Sequence, residues 1–130
     1  AARPVNPQAG ATAAGHDQGQ LRRCPSAILT VGAQGPLDDR GRLLHEDDVA
    51  AQLALALANV AAVLAAAGLE LTDLALLRVY TTDLDALLDV YDTLVEHLGS
   101  AGARPPATVV GVDRLPVPGM AVQIEALAIR

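Results

Sequence analysis

The chain has 130 residues and a formal net charge of −6, and 52% of its residues are hydrophobic while 2% are aromatic. This length suits one domain, but small aliphatic side chains bury little area each, so we expect subunit association to add apolar burial. An acidic chain with no basic cluster beyond Arg22-Arg23 is not expected to bind nucleic acid.

The composition also bears on chemistry and location. No apolar run of membrane-spanning length is free of polar residues and no signal peptide precedes the domain, so we expect a cytoplasmic protein with no membrane partner. Cys24 is the only cysteine, so no intrachain disulfide can form. The absence of lysine excludes a lysine Schiff base, and His16, His45 and His97 lack metal-ligand spacing. We predict neither a metal nor an organic cofactor.

Hydrophobic periodicity and turn residues divide the chain into short elements. Gly68 and Gly99 are expected to end the two helices, and Asp83 is placed to cap the second. The acidic residues 46–48 precede the first helix, and capping is preferred to a metal site there. We predict, in chain order, an irregular arm over 1–20 with an optional strand near 18–24, a strand over 26–31, a helix over 47–67, a strand over 74–80, a helix over 84–98, and strands over 108–112 and 121–129.

The order β-α-β-α-β-β predicts an α/β (α+β) domain in which a mixed sheet carries two helices on one face. The other face would be apolar and uncovered, which in a chain this small indicates an oligomer. On the last strand, Gln123 and Glu125 share a face with Ala121, Leu127 and Ile129. Two interpretations stay open for this polar pair: a pocket wall, favoured for Gln123, or a hydrogen-bonded pair inside the oligomer, favoured for Glu125.

Several segments together resemble the Rid (YjgF/UK114) family of imine and enamine deaminases. Residues 30–37 are similar to its Ser-Gly-Gln-x-Pro strand end, 51–68 to its first helix, and 79–84 to its second strand and cap. Residues 112–116 and 122–128 resemble its closing hairpin, which typically ends in Glu-Ile-Glu-Ala. The resemblance implies a single chorismate-mutase-like domain. It also implies a homotrimeric barrel with a small-molecule ligand at each subunit cleft.

The resemblance further implies a mechanism in which an arginine grips the substrate carboxylate and a carboxylate helps to hold the attacking water. At the arginine position this chain has Ala107, and at the first glutamate of Glu-Ile-Glu-Ala it has Gln123. Ala107 cannot bind a carboxylate through its side chain. Gln123 can orient a water but cannot accept its proton. We therefore expect no ordinary 2-imino acid deaminase activity.

Other positions carried over from the family are changed as well. The resemblance places Gly32 and Ala33 at its Ser-Gly pair, Tyr91 at its pocket asparagine, and His16 at its N-terminal aromatic residue. Arg104 is a candidate to replace the missing cation, against the alternative of a solvent-exposed loop arginine. His16 is the residue near the predicted cleft whose type suits proton transfer.

We predict a cofactor-independent enzyme acting on an imine, enamine or enol-type intermediate by hydrolysis, proton transfer or cyclisation. Its catalytic groups would be Arg104, Gln123 and His16, with backbone N–H groups near residues 107–108 stabilising developing negative charge. The predicted pocket wall consists of Gly32, Ala33, Tyr91, Ala107, Thr108 and Glu125.

Alternatives remain open for single residues and for the function. Core packing is the structural alternative for Tyr91, and a buried strand thiol is the expectation for Cys24. The whole chain has two functional alternatives. One is a non-catalytic metabolite-binding or regulatory trimer, and the other is an imine or enamine deaminase with an altered carboxylate grip.

Overall fold

Two helices pack on one face of a four-stranded mixed sheet in the computed structural model, which describes residues 2–8, 10 and 14–130. The sheet has the order β3-β6-β4-β5, with β4 and β5 parallel and the other neighbours antiparallel. A separate two-stranded ribbon is formed by β1 and β2. The elements are β1 Arg3–Val5, β2 Gly19–Leu21, β3 Ile28–Gln34, α1 Val49–Ala66, β4 Leu74–Thr81, α2 Leu84–Ser100, β5 Ala107–Gly111 and β6 Val122–Ile129.

Strand alternation decides which face the helices cover. On β6 every second residue is buried, beginning with Val122, while the residues between them stay half-exposed. The buried residues pack against the apolar stripes of α1 and α2, so the core lies between the sheet and the helices. The predicted mixed sheet with two helices on one face is confirmed.

The helix ends follow the predicted capping chemistry. The Asp48 carboxylate accepts a hydrogen bond of 3.0 Å from the Ala51 N–H, and the Asp83 carboxylate accepts one of 3.1 Å from the Ala86 N–H. Capping by the acidic residues before α1 is therefore confirmed at Asp48. The prediction that Gly99 ends α2 is wrong by one residue, because the helix continues to Ser100.

By length and composition, α1 is apolar enough to cross a membrane. Its side chains Leu53, Val60 and Leu64 are nevertheless buried in the core, and its polar Gln52 is fully buried as well. The Gln52 amide is satisfied by backbone groups of neighbouring loops. The helix is therefore the central core helix of this fold.

The N-terminal arm is more regular than predicted. The strand expected near 18–24 exists as β2, but it pairs with β1 rather than with the main sheet, so the prediction of an irregular arm over 1–20 is wrong for these segments. Polar side chains hold the ribbon together. Asn6 Nδ2 donates to Asp17 Oδ1 at 3.0 Å, and its Oδ1 accepts from the Gln18 N–H at 2.7 Å. Such polar contacts produce no hydrophobic periodicity in the sequence, so the sequence pattern could not predict the ribbon.

The segment from Cys24 to Gln34 also differs from expectation. Cys24 is exposed at a bend with φ +48°, so the expected buried strand thiol is wrong. The first sheet strand begins at Ile28 and ends at Gln34, so it starts later and runs further than the predicted strand over 26–31. Pairing with β6 carries the strand through an irregularity between Val31 and Gln34, because cross-strand bonds compensate for the weak strand preference of glycine.

The second face of the sheet is covered by none of the described elements. Strand registers place on it Ile28 and Thr30 of β3, Leu76, Arg78 and Tyr80 of β4, Thr108 and Val110 of β5, and Gln123, Glu125 and Leu127 of β6. Ile28 is 64% exposed there. The face is uncovered in the single chain, as predicted, but the prediction that it is apolar is wrong in part, because Arg78, Gln123 and Glu125 lie on it.

Candidate functional site

The N-terminal arm is fixed to the loop that precedes β5. The Asp17 N–H and the Gln20 side-chain amide both donate to the Arg104 carbonyl at 3.0 Å. The Asp17 carboxylate is 5% exposed and lies 3.6 Å from Arg104 Nε. Burial alone would raise the pKa of Asp17, but hydrogen bonds from Gln20 and Asn6 and the Arg104 guanidinium together hold that pKa below its ordinary value. Asp17 is therefore a charged anchor for the arm.

His16 lies between this loop and α2. Its Nδ1 is 2.8 Å from the Pro105 carbonyl oxygen, and its Nε2 is 2.8 Å from the Tyr91 hydroxyl. A carbonyl oxygen only accepts, so Nδ1 carries the proton and Nε2 accepts the hydrogen bond from Tyr91. The two rings are 5.6 Å apart between centroids and are tilted by 55°. The surroundings thus select one neutral tautomer of His16.

Burial sets the protonation states of this His16–Tyr91 pair. Burial lowers the pKa of His16 below 6.5, and the nearby Arg104 cation acts in the same direction. The Pro105 hydrogen bond and the Asp17 charge oppose that shift only in part. Burial also raises the pKa of Tyr91 to about 12. At neutral pH the pair therefore offers one basic nitrogen, which can accept a proton, and one un-ionised hydroxyl group, which can donate one.

A glycine allows the arm to approach α2 closely enough for this contact. Gly15 has φ +84°, which favours glycine, and a Cβ at this position would collide with the side chain of Val95. The residue that follows, His16, is thereby placed over Tyr91.

The nine predicted site residues fall into two groups at different edges of the sheet. Within one chain the two groups are separated, because β4 lies between β6, which carries part of one group, and β5, which carries part of the other. Near the β5 edge lie His16, Tyr91, Arg104, Ala107 and Thr108, and toward the β3 edge lie Gly32, Ala33, Gln123 and Glu125. One chain therefore holds the predicted site residues in two separate groups, which we name the β5-edge half-site and the β3-edge half-site of the predicted pocket.

The β3-edge half-site is organised by a helix side chain that the sequence predictions did not include. Gln123, Ala33 and Asn59 line one groove. Asn59 Nδ2 donates to the carbonyl oxygens of Gly35 at 2.9 Å and Leu37 at 3.2 Å, which fixes the loop after β3. A polar residue within an otherwise apolar stretch of helix was the signal that could have identified it.

Glu125 belongs to a polar cluster on the uncovered face. The Tyr80 hydroxyl donates to Glu125 Oε1, and Arg78 Nη1 lies 3.4 Å from the same oxygen. The hydrogen bond to Glu125 raises the pKa of Tyr80. Sequence reasoning missed Arg78 and Tyr80, although alternation along β4 puts both on the face that carries Glu125.

Arg104 faces a different cleft from Gln123. Its guanidinium lies against Asp17 and lines a cleft beneath the β1–β2 ribbon. A substrate contact for Arg104 stays a prediction. Within residues 2–8, 10 and 14–130, no three His, Cys, Asp or Glu side chains are grouped to hold a metal ion.

Sequence comparisons place the chain among known proteins. The family model described as endoribonuclease L-PSP matches residues 11–130. The 2-iminobutanoate/2-iminopropanoate deaminase of Salmonella typhimurium is 36% identical over 106 residues, which cover 81% of this chain and 80% of that protein. A RutC family protein of Pyrococcus horikoshii is 28% identical over 128 residues, covering 98% and 90% respectively.

Solved structures show the same architecture. A Rid-family protein of unknown function from Yersinia pestis superposes with a TM-score of 0.90 at 24% identity, covering 99% of this chain and 98% of that one, and this likeness concerns the fold alone. The YjgF protein of Escherichia coli superposes with a TM-score of 0.72 at 31% identity, covering 88% and 87%.

The lowered pKa of His16 predicts a pH-dependent contribution to stability. The unfolded chain takes up the His16 proton first as the pH falls. The stability contributed by neutral His16 is therefore fully present above pH 6.5 and is lost as the pH falls through the lower pKa of the folded state. The advantage of wild type over His16→Asn in free energy of unfolding, measured by urea denaturation, should shrink on acidification. His97→Asn is the reference for removing an exposed histidine. A difference that stays constant from about pH 8 to 5 would contradict the prediction.

Proposed function

The chain belongs to the Rid family, and we propose that it is a small-molecule enzyme in which His16 and Tyr91 act as a base–acid pair on an imine, enamine or enol-type intermediate. The observation that carries the proposal is the 2.8 Å contact between His16 Nε2 and the Tyr91 hydroxyl, which joins residues 75 positions apart.

The proposal includes a cytoplasmic location, because an exposed thiol at Cys24 and the lack of disulfides suit a reducing compartment.

In the proposed mechanism, the substrate displaces the Tyr91 hydroxyl from His16 and contacts both groups. His16 Nε2 takes a proton from the substrate carbon next to the C=N or C=O group, while Tyr91 gives its proton to the nitrogen or oxygen. The resulting imidazolium returns its proton to the Tyr91 oxygen, which restores the pair. The net change is a tautomerisation. With an imine, a water deprotonated by Nε2 can instead add to the C=N carbon while Tyr91 protonates the nitrogen. Transfer of the new hydroxyl proton to that nitrogen through the pair then breaks the C–N bond, so that ammonia leaves and a carbonyl compound remains.

Ordinary 2-imino acid deamination is not part of the proposal. Ala107, at the start of β5, supplies no cation, and Gln123 supplies no base at neutral pH. Arg104 is close enough to influence His16, but its guanidinium is engaged by Asp17. The 36% identity to a 2-iminobutanoate/2-iminopropanoate deaminase supports deamination as the second candidate function.

The proposed active unit is a homotrimer. The β5 edge of one subunit would meet the β3 edge of the next subunit, so that His16 and Tyr91 would approach the neighbouring subunit's Ala33 and Gln123. Two observations support this assembly: the second sheet face, which carries Ile28, Leu76 and Leu127 beside its polar cluster, is uncovered, and the half-sites lie at different edges. Each subunit cleft would then hold one small-molecule ligand.

A charged residue in the middle of the uncovered face should break the assembly. Leu127 lies there between Thr30 and Leu76 in the strand register. We expect wild type to have the mass of three chains by light scattering and Leu127→Arg to be monomeric, because three arginines would be forced together without partners. Leu88→Arg is the matched control, since Leu88 is a 53% exposed leucine on α2. A monomeric wild type would contradict the proposed assembly.

The proton-transfer pair is tested by removing each member. The substrate probes are the enol of phenylpyruvate and 2-iminobutanoate formed in situ by an amino-acid oxidase. We expect His16→Asn and Tyr91→Phe each to lower the rate of enol-to-keto conversion by at least about 10-fold, while the exposed control His97→Asn keeps the wild-type rate. Equal rates in all four proteins would refute the assignment of the pair. No turnover of either probe by wild type would favour a binding trimer.

The argument from Ala107 and Gln123 predicts a gain of activity. Ala107→Arg combined with Gln123→Glu should raise 2-iminobutanoate hydrolysis at least about 10-fold over wild type, because a carboxylate grip and a base are restored together. Each single variant is the control and should gain less than the pair, since the two groups act on one substrate. Wild-type deamination as fast as that of the double variant would show that the altered site deaminates by other means.

A further inference from the structure

A second cleft, outside the proposed catalytic pair, concentrates positive charge. It lies beneath the β1–β2 ribbon and has a volume of about 380 Å³. Its charged lining consists of Arg22, Arg23, Arg104, Arg130, Asp17 and Asp73. The side chains of the lining carry four positive and two negative formal charges, although the whole chain carries −6. This imbalance favours a negatively charged occupant.

Two of the four arginines are already neutralised inside the cleft. Arg130 Nη2 lies 2.8 Å from Asp73 Oδ2, and Arg104 Nε lies 3.6 Å from Asp17 Oδ1. No carboxylate of the described residues lies within 4.0 Å of the guanidinium groups of Arg22 or Arg23. The excess charge of the cleft therefore resides on these two residues.

Arg22 is oriented by neutral oxygens rather than by an anion. Its Nη1 donates to Gln20 Oε1 at 2.9 Å, and its Nη2 donates to the carbonyls of Thr72 at 3.3 Å and Leu74 at 3.1 Å. Burial lowers the pKa of Arg22, and the more distant Asp73 offsets this only in part. A fixed and partly desolvated guanidinium attracts an anion more strongly than a mobile solvated one, because water screens it less and little side-chain freedom is lost on binding.

Arg23 supplies a second cation that can move. Its side chain is exposed at the cleft and makes no hydrogen bond with the described residues, so it can adjust to a ligand held by Arg22. A guanidinium held in place and an exposed one without hydrogen bonds to the described residues together suit a group with several negatively charged oxygens.

We propose that this cleft binds a small oxyanion of the phosphate class, with Arg22 and Arg23 as its ligands. A phosphate group offers oxygens to both guanidinium groups and matches the two excess charges. The cleft is roomier than a phosphate group alone, which leaves space for a small phosphomonoester. The site does not depend on the proposed catalysis. It adjoins the catalytic pair through the arm, in which His16 contacts Tyr91 and Asp17 contacts Arg104.

Titration at constant ionic strength separates specific binding from charge screening. The wild-type protein is titrated by calorimetry with inorganic phosphate and with glycerol phosphate, and sodium chloride keeps the ionic strength fixed. We expect saturable binding, weakened at least about 10-fold by Arg22→Gln and by Arg23→Gln. The matched control Arg40→Gln removes an exposed arginine outside the cleft and should bind as wild type does. Tighter binding of glycerol phosphate than of phosphate would identify a phosphorylated metabolite as the source, and the reverse would identify the free ion.

Arg23→Gln keeps the test decisive if Arg22→Gln fails to fold, because Arg23 has no hydrogen bond in the described structure that its loss would break. The proposal is overturned if phosphate does not bind saturably in the millimolar range, or if Arg23→Gln binds it as wild type does. A ribo-oligonucleotide that bound more tightly than either phosphate ligand, and lost binding in the same variants, would replace the small anion with RNA.

Discussion

The contact between two adjacent residues of the arm and two adjacent residues of a loop determines the candidate site. His16 and Asp17 bind the carbonyl oxygens of Pro105 and Arg104, so the backbone of the loop supplies both anchors. Two consecutive prolines keep this loop out of a helix and keep its carbonyls available. Without this contact His16 would be a histidine in a solvent-exposed arm, and its pKa would not be lowered by burial.

The same contact places an uncharged pair of side chains next to a charged pair. His16 contacts Tyr91, and both groups are uncharged at neutral pH, whereas the next residue, Asp17, pairs with the Arg104 cation in the neighbouring cleft. In the proposed pocket around the neutral pair and Ala107, the Arg104 cation that influences His16 is already paired with Asp17. Ala107 at the family's arginine position and the engagement of Arg104 by Asp17 therefore both support the proposal that 2-imino acids are not the substrates.

Local patterns predicted the helices, their caps and the alternation of β6 because each depends on residues close in sequence. The β1–β2 ribbon was missed because polar bonds such as Asn6 to Asp17 hold it and create no hydrophobic period. The family resemblance identified His16 and Tyr91 separately. Their bond is a tertiary contact across 75 positions, which no local pattern contains, and the polar partners of Glu125 required the strand register.

Each half of the proposed pocket is rigidly built within the single chain. The buried Gln52 donates to the Gly119 carbonyl and accepts from the Ala121 N–H at 2.7 Å, which holds the loop that leads into β6 and Gln123, while Asn59 fixes the loop after β3. At the β5 edge, the arm fixes His16 against Tyr91. Bringing two prepared halves together costs less conformational entropy than ordering a mobile site would. The polar residues inside the apolar helix α1 thus serve the β3-edge half-site, as the N-terminal arm serves the β5-edge half-site, and trimer formation would join them without refolding either.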